Sequence, residues 1–158
     1  MTTTELGADL LRVVAQLNRW ATRHATFEVP AAQARLLALL DEFGPTRIST
    51  LAAADNSSQP TTTIQVHRLE AAGWVQRAGD PDDARASRVS LTEDGVRALA
   101  EVRAARTAVF RPVLAQLVAS DPDALHRVRD AVAVIDELLD IAARCPLDQD
   151  AASGVPLS

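Results

Sequence analysis

Residues 73–92 read Gly73-Trp74-Val75-Gln76-Arg77-Ala78-Gly79-Asp80-Pro81-Asp82-Asp83-Ala84-Arg85-Ala86-Ser87-Arg88-Val89-Ser90-Leu91-Thr92 (GWVQRAGDPDDARASRVSLT), and the periodicity of the chain changes within them. Gly73 is a natural stop for a preceding helix. Trp74-Val75-Gln76-Arg77 and Arg88-Val89-Ser90-Leu91 are short strand candidates on either side of a charged turn, and together they predict a β-hairpin. Thr92 can cap a following helix, with Glu93 and Asp94 in the first turn where the helix dipole favours acids. The turn holds three acids and, with the strand after it, two arginines. Such a cluster is either a solvated hairpin tip or a device that holds an arginine out toward a polyanion.

Working outward, helices flank the hairpin. Ser58 is the N-cap candidate for the helix that Gly73 ends, and Pro60 is tolerated in its first turn. Ile48 to Ala54 reads as a short helix before it. Ala31 to Phe43 reads as another, with Pro30 at its start and Gly44-Pro45 at its end. Leu6, Leu10, Val13, Leu17, Trp20 and His24 step by four and three, which predicts an amphipathic helix over residues 5–25. On the other side, Val96, Leu99, Val102, Arg106, Val109, Val113 and Leu117 carry a long helix in which Pro112 is expected to introduce a kink. A last helix from Pro122 to about Arg144 has the stripe Leu125, Val128, Val132, Ile135, Leu139 and Ala142, a heptad spacing suited to lengthwise packing. The expected class is mainly α with a small β-hairpin wing (α+β), divided into residues 1–29, 30–92 and 93–145, with 146–158 as a disordered polar tail.

Composition narrows the function. Hydrophobic residues make up 47% of the 158, but aromatics only 3%, and tyrosine is absent. Ala, Leu and Val supply the core, which favours helices. The net charge of −5 is concentrated in residues 120–158, where eight acids face three arginines, while residues 44–92 balance five of each. The middle of the chain can therefore meet phosphates although the whole is acidic. All sixteen basic residues are arginine, so a phosphate-binding loop built around lysine cannot occur. His24, His67 and His126 are scattered, without acids at metal-ligand spacing, so neither an enzyme nor a metal or cofactor site is expected. The lone Cys145 has no internal partner and reads as a bystander. No signal peptide or membrane span is expected, which points to a cytoplasmic protein.

A short helix, a turn, a second helix and a hairpin are the parts of a winged helix-turn-helix. Gln59, Thr61, Thr62, Thr63 and Gln65 on the second helix are small or amide side chains able to bond base edges and phosphates and to pack on thymine methyls. Three threonines are also poor choices for an ordinary solvated helix. The run Ser58-Gln59-Pro60-Thr61-Thr62-Thr63, then Arg68-Leu69-Glu70-Ala71-Ala72-Gly73-Trp74-Val75, resembles the recognition helix of the MarR family of bacterial transcription regulators. Arg77, Asp80-Pro81-Asp82-Asp83-Ala84-Arg85 and Val89-Ser90-Leu91-Thr92-Glu93-Asp94-Gly95 resemble that family's wing and the exit from it.

The resemblance implies a homodimer whose N- and C-terminal helices interlock and carry two winged lobes onto pseudopalindromic double-stranded DNA. The DNA-binding residues it implies, together with the pattern of the helix, are Ser57, Ser58, Gln59, Thr61, Thr62, Gln65, Arg68, Asp83, Arg85 and Arg88. Arg85 is expected in the minor groove, with Asp83 orienting wing arginines such as Arg88. A small aromatic or anionic effector is expected near Trp20, His24 and the second helix of the chain, relieving repression of an operator. Asp55 and Gln65 stand where the family commonly carries apolar core residues, and Ile64 where it is more often polar. Either the recognition helix is slightly rotated, or Ile64 meets DNA and Gln65 is partly buried. The alternative from another class is a helical protein-interaction module with vestigial DNA binding.

Overall fold

A computed structural model describes residues 2–81 and 83–145, and describes Ala84 and Arg85 by their backbone only. The expected tail at 146–158 and the turn residue Asp82 lie outside the described residues. The elements in chain order are α1 (Thr3–His24), α2 (Ala31–Phe43), β1 (Thr46–Arg47), α3 (Ile48–Ala54) and α4 (Gln59–Ala71). β2 (Val75–Asp80), β3 (Asp83–Leu91), α5 (Glu93–Ser120) and α6 (Ala124–Arg144) follow. They form two compact units, one ending at Pro112 and the other beginning at Val113.

The first unit is built on α2, α3, α4 and a three-stranded antiparallel sheet. Leu36, Leu37 and Leu40 of α2, Leu51 of α3, Val66 and Leu69 of α4, Val89 of β3 and Val102 of α5 are all at most 2% exposed. Each such side chain stabilises the fold by roughly 1.5–3 kcal/mol through removal from water. The sheet order is β1-β3-β2, with Thr46 opposite Val89, Arg47 opposite Arg88 and Val75 opposite Leu91. β1 was not expected, because two residues are too few to show alternation. Both hairpin strands are longer than the apolar pattern predicted, since polar residues at the wing pair through their backbones. The register shifts between Gly79 and Asp80, just before the turn.

The ends of α4 are closed by local chemistry. Ser58 Oγ accepts a hydrogen bond from the Thr61 N–H at 3.3 Å. At the far end Gly73 adopts φ +75, the Gly73 N–H donates to Glu70 O, and the Trp74 N–H donates to Leu69 O. That double closure is the Schellman arrangement, and the left-handed backbone it needs is cheapest for glycine. Thr92 then joins the wing to α5. Its hydroxyl donates to Gly73 O at 2.6 Å and accepts from the Gly95 N–H at 3.1 Å. Gly95 is buried with its Cα face directly against the Trp74 carbonyl, so a β-carbon there would overlap backbone.

α1 begins two residues earlier than predicted because Thr2 and Glu5 form a capping box. None of its residues is buried, and Leu6, Leu11, Val13, Val14 and Leu17 are between 41% and 74% exposed. α5 runs through Pro112 as one helix. In the second unit α6 starts at Ala124 rather than at Pro122, after a turn in which the Asp123 N–H donates to Asp121 Oδ1 at 2.9 Å. Ala124 is its only buried residue, and Leu125, Val132, Val134, Leu138, Leu139 and Ile141 are exposed. No described helix is long and apolar enough to cross a membrane.

Candidate nucleic-acid interface

α4 is anchored by one row and presents another. Thr62, Val66 and Leu69 face the core at 1%, 0% and 0% exposure. At about 100° per residue, Pro60, Ile64 and Ala71 point the opposite way, with Thr61 and Arg68 on one flank and His67 on the other. All six are exposed. Gln65 and Thr63 lie at the sides and are half-buried. The helix is therefore seated with Ile64 outward and Gln65 partly covered.

Thr62 corrects the expected set of base-reading residues. Its hydroxyl donates to Ser58 O at 3.2 Å and so accepts from the half-buried Ser57 hydroxyl, 2.7 Å away. A threonine enclosed in this way has no edge to offer a base. It fixes the turn between α3 and α4, where Asn56 takes φ 50 and the Ser57 N–H donates to Ala52 O. Ser58, Gln59, Thr61 and Arg68 remain exposed along the N-terminal and outward faces. Thr63 spends its hydroxyl on Gln59 O at 2.8 Å. Glu70, the one acid of α4, is engaged by Arg77 of β2 at 3.2 Å.

The wing is organised by an acid that the sequence did not single out. The Asp80 side chain is fully buried; Arg47 Nε donates to its Oδ2 at 2.6 Å, and Arg88 Nη2 lies 3.0 Å from its Oδ1. Both arginines are about one-third to two-fifths exposed, so each has its head partly in water while the carboxylate is sealed beneath them. Asp83, expected to orient Arg88, is 46% exposed and comes within 4.0 Å of Arg47 Nη2. A buried anchor for Arg88 is thus Asp80, which Arg47 and Arg88, paired across β1 and β3, both reach. Asp80 and Arg47 are 33 residues apart, and no local pattern links them. The Arg85 side chain lies outside the described residues, although its backbone belongs to β3.

Asp55, at a position expected to be apolar, is satisfied by an ion pair. Arg35 Nε of α2 lies 2.8 Å from its Oδ1, and the carboxylate is only 10% exposed. The hydrogen bond and the charge of Asp55 raise the Arg35 pKa, against the opposing effect of burial. Beside this pair is a cavity of about 260 Å³ with Arg19 and Arg23 from α1, Arg35 from α2 and Arg106 from α5 in its walls, alongside Asn18 and Thr22. Arg106 reaches over the Phe27 ring at 5.8 Å, and its Nε is buried without a hydrogen-bond partner among the described residues. Trp20 and His24, expected near an effector, stack on each other with ring centroids 4.7 Å apart. They lie on the side of α1 roughly opposite Asn18 and Thr22. Arginines spread over three helices give no periodic signal, which is why sequence reasoning passed over this cluster.

Comparison with known proteins agrees with the geometry. Residues 29–87 match the model of the MarR family. An uncharacterised HTH-type transcriptional regulator of Mycobacterium bovis, Mb0904, is 31% identical over 134 residues, covering 84% of this chain and 94% of its own. A MarR family protein from Bacillus stearothermophilus superposes with a TM-score of 0.64 at 26% identity, over 86% of this chain and 94% of that one. The PcaV transcriptional regulator from Streptomyces coelicolor, solved in complex with its natural ligand, has a TM-score of 0.52 at 21% identity, over 92% and 94% of the two chains.

Proposed function

We propose, for a chain that belongs to the MarR family of helix-turn-helix transcriptional regulators, that it is a homodimeric repressor whose grip on a pseudopalindromic operator is released by a small anion. The observation that carries the DNA-binding part is the outward face of α4. It is rigidly seated by Thr62, Val66 and Leu69, its central rows contain no acid, and it stands beside a wing whose arginines rest on a buried carboxylate. Ser58, Gln59, Thr61, Gln65 and Arg68 then contact the major groove and its phosphates, and Arg85 at the wing turn enters the minor groove. Asp83 and Arg88 shape the wing that delivers it. Ser57 contributes indirectly, through its bond to Thr62.

Dimerisation is supported by the apolar side chains that α1 and α6 leave exposed, a surface of the kind that marks interfaces. Ligand response is supported by the arginine-lined cavity and by the buried Arg106 Nε, which has no hydrogen-bond partner among the described residues. Its volume suits a single-ring carboxylate, given that an engineered cavity of ~150 Å³ holds benzene. Trp20 and His24, on the other side of α1, are left as a stacked pair outside this cavity.

Duplex binding measured by anisotropy across a salt series tests the reading. The chain should retain fragments of its own genome, and Arg85→Ala should weaken specific and unrelated duplexes alike while lowering the salt slope by about one. A chain that binds no duplex at low salt, yet captures another protein through α6, is an interaction module instead.

A further inference from the structure

We infer that Ile64 is a specificity-determining residue that reads the C5 methyl of a thymine in the major groove. This rests on the proposal that α4 faces DNA, and it adds what the centre of that face recognises. Three observations converge on it. Ile64 lies roughly opposite the buried row of Thr62, Val66 and Leu69, midway along the outward row that it forms with Pro60 and Ala71. It is 53% exposed and takes no part in the core, so the fold gains little from an isoleucine there. It is also β-branched, a choice that slightly disfavours the helix compared with the long polar residues usual on a solvated face.

The chemistry of its surroundings sharpens the assignment. One turn to either side stand Pro60, Thr61, His67 and Arg68, all exposed. Thr61 and Arg68 can make hydrogen bonds, whereas Ile64 offers only hydrocarbon. Along the major-groove edges of the base pairs the thymine methyl is the one apolar group that projects; the exocyclic groups and ring nitrogens are donors or acceptors, and cytosine has only a flush C5–H in its place. An isoleucine pressed onto a cytosine amine or a guanine carbonyl would strip water from it without replacing the hydrogen bond. Ile64 therefore favours thymine by attraction and disfavours the other bases by desolvation.

Uracil scanning separates the methyl from everything else in the base. The full-length protein selects a duplex from a randomised pool, and each thymine of the selected site is replaced singly by uracil. One position per half-site should weaken binding about fourfold, the effect of a single buried methyl. In Ile64→Ala, the same uracil should make no difference, while Ile64→Val should retain most of the penalty. Thermal melts of both variants should match the parent, since the position is exposed. Uracil penalties that are absent, or equally large in Ile64→Ala, overturn the inference while leaving DNA binding by α4 intact. Failure to bind any duplex at low salt overturns the DNA-facing reading of α4, and this inference with it.

Discussion

Asp80 shows how one side chain can set the geometry of an exposed element. A carboxylate with no exposed surface is held between Arg47 and Arg88, which are themselves cross-strand partners. Removing one member of a buried pair costs about 3–5 kcal/mol when every group is enclosed. Here the arginines reach water, so Asp80→Asn should cost less, about 2 kcal/mol in urea unfolding, while Asp83→Asn at the exposed turn should cost ~0–1 kcal/mol. Equal losses at the two positions would remove Asp80 as the anchor. Thr62 makes a second residue-scale prediction. Thr62→Val leaves the Ser57 hydroxyl without its acceptor and should lower stability by about 1–2 kcal/mol. Its ratio of operator to unrelated DNA binding, measured well below the melting temperature, should be unchanged. The sequence showed three threonines as a group, and composition alone could not tell the enclosed one from its neighbours. That distinction depends on the phase of the helix against the core.

The elements themselves were legible where local signals agree. Ser58 as cap, Gly73 as stop and Thr92 as the start of α5 all follow from backbone chemistry within a few residues, and the structure bears each of them out. Strand β1 was not legible because its two residues pair with β3 more than 40 residues away, and the full length of the hairpin was not because its tip is polar and shows no apolar alternation. The junction of wing and α5 is the tightest of these joints. A β-carbon at Gly95 would overlap the Trp74 carbonyl oxygen and lie 2.9 Å from its carbon. Backbone on both sides cannot yield cheaply, so Gly95→Ala should destabilise by ~1–3 kcal/mol despite the better helix propensity of alanine. Gly7→Ala, in α1 with nothing within 4 Å, is the control and should be neutral or slightly stabilising. Calorimetric melting of the two variants checks both.

At the scale of the molecule, the stripes of α1 and α6 were visible as amphipathic spacing in the first and heptad spacing in the second, and the described residues leave much of both exposed. If a second copy covers them, the melting temperature should rise with protein concentration, as mass action requires, and a trace independent of concentration over a hundredfold range would count against the dimer. The arginine cavity was not visible, since its walls come from three helices. Its most consequential feature is that one wall is already committed: Arg35 holds Asp55, at the turn that leads into α4. On the proposed function, an anion settling among these arginines would compete with Asp55 for the same guanidinium, beside the turn into the helix proposed to face DNA. If that competition shifts the helix, linkage requires the coupling to be reciprocal: whatever factor the anion took from the duplex, the duplex would take from the anion.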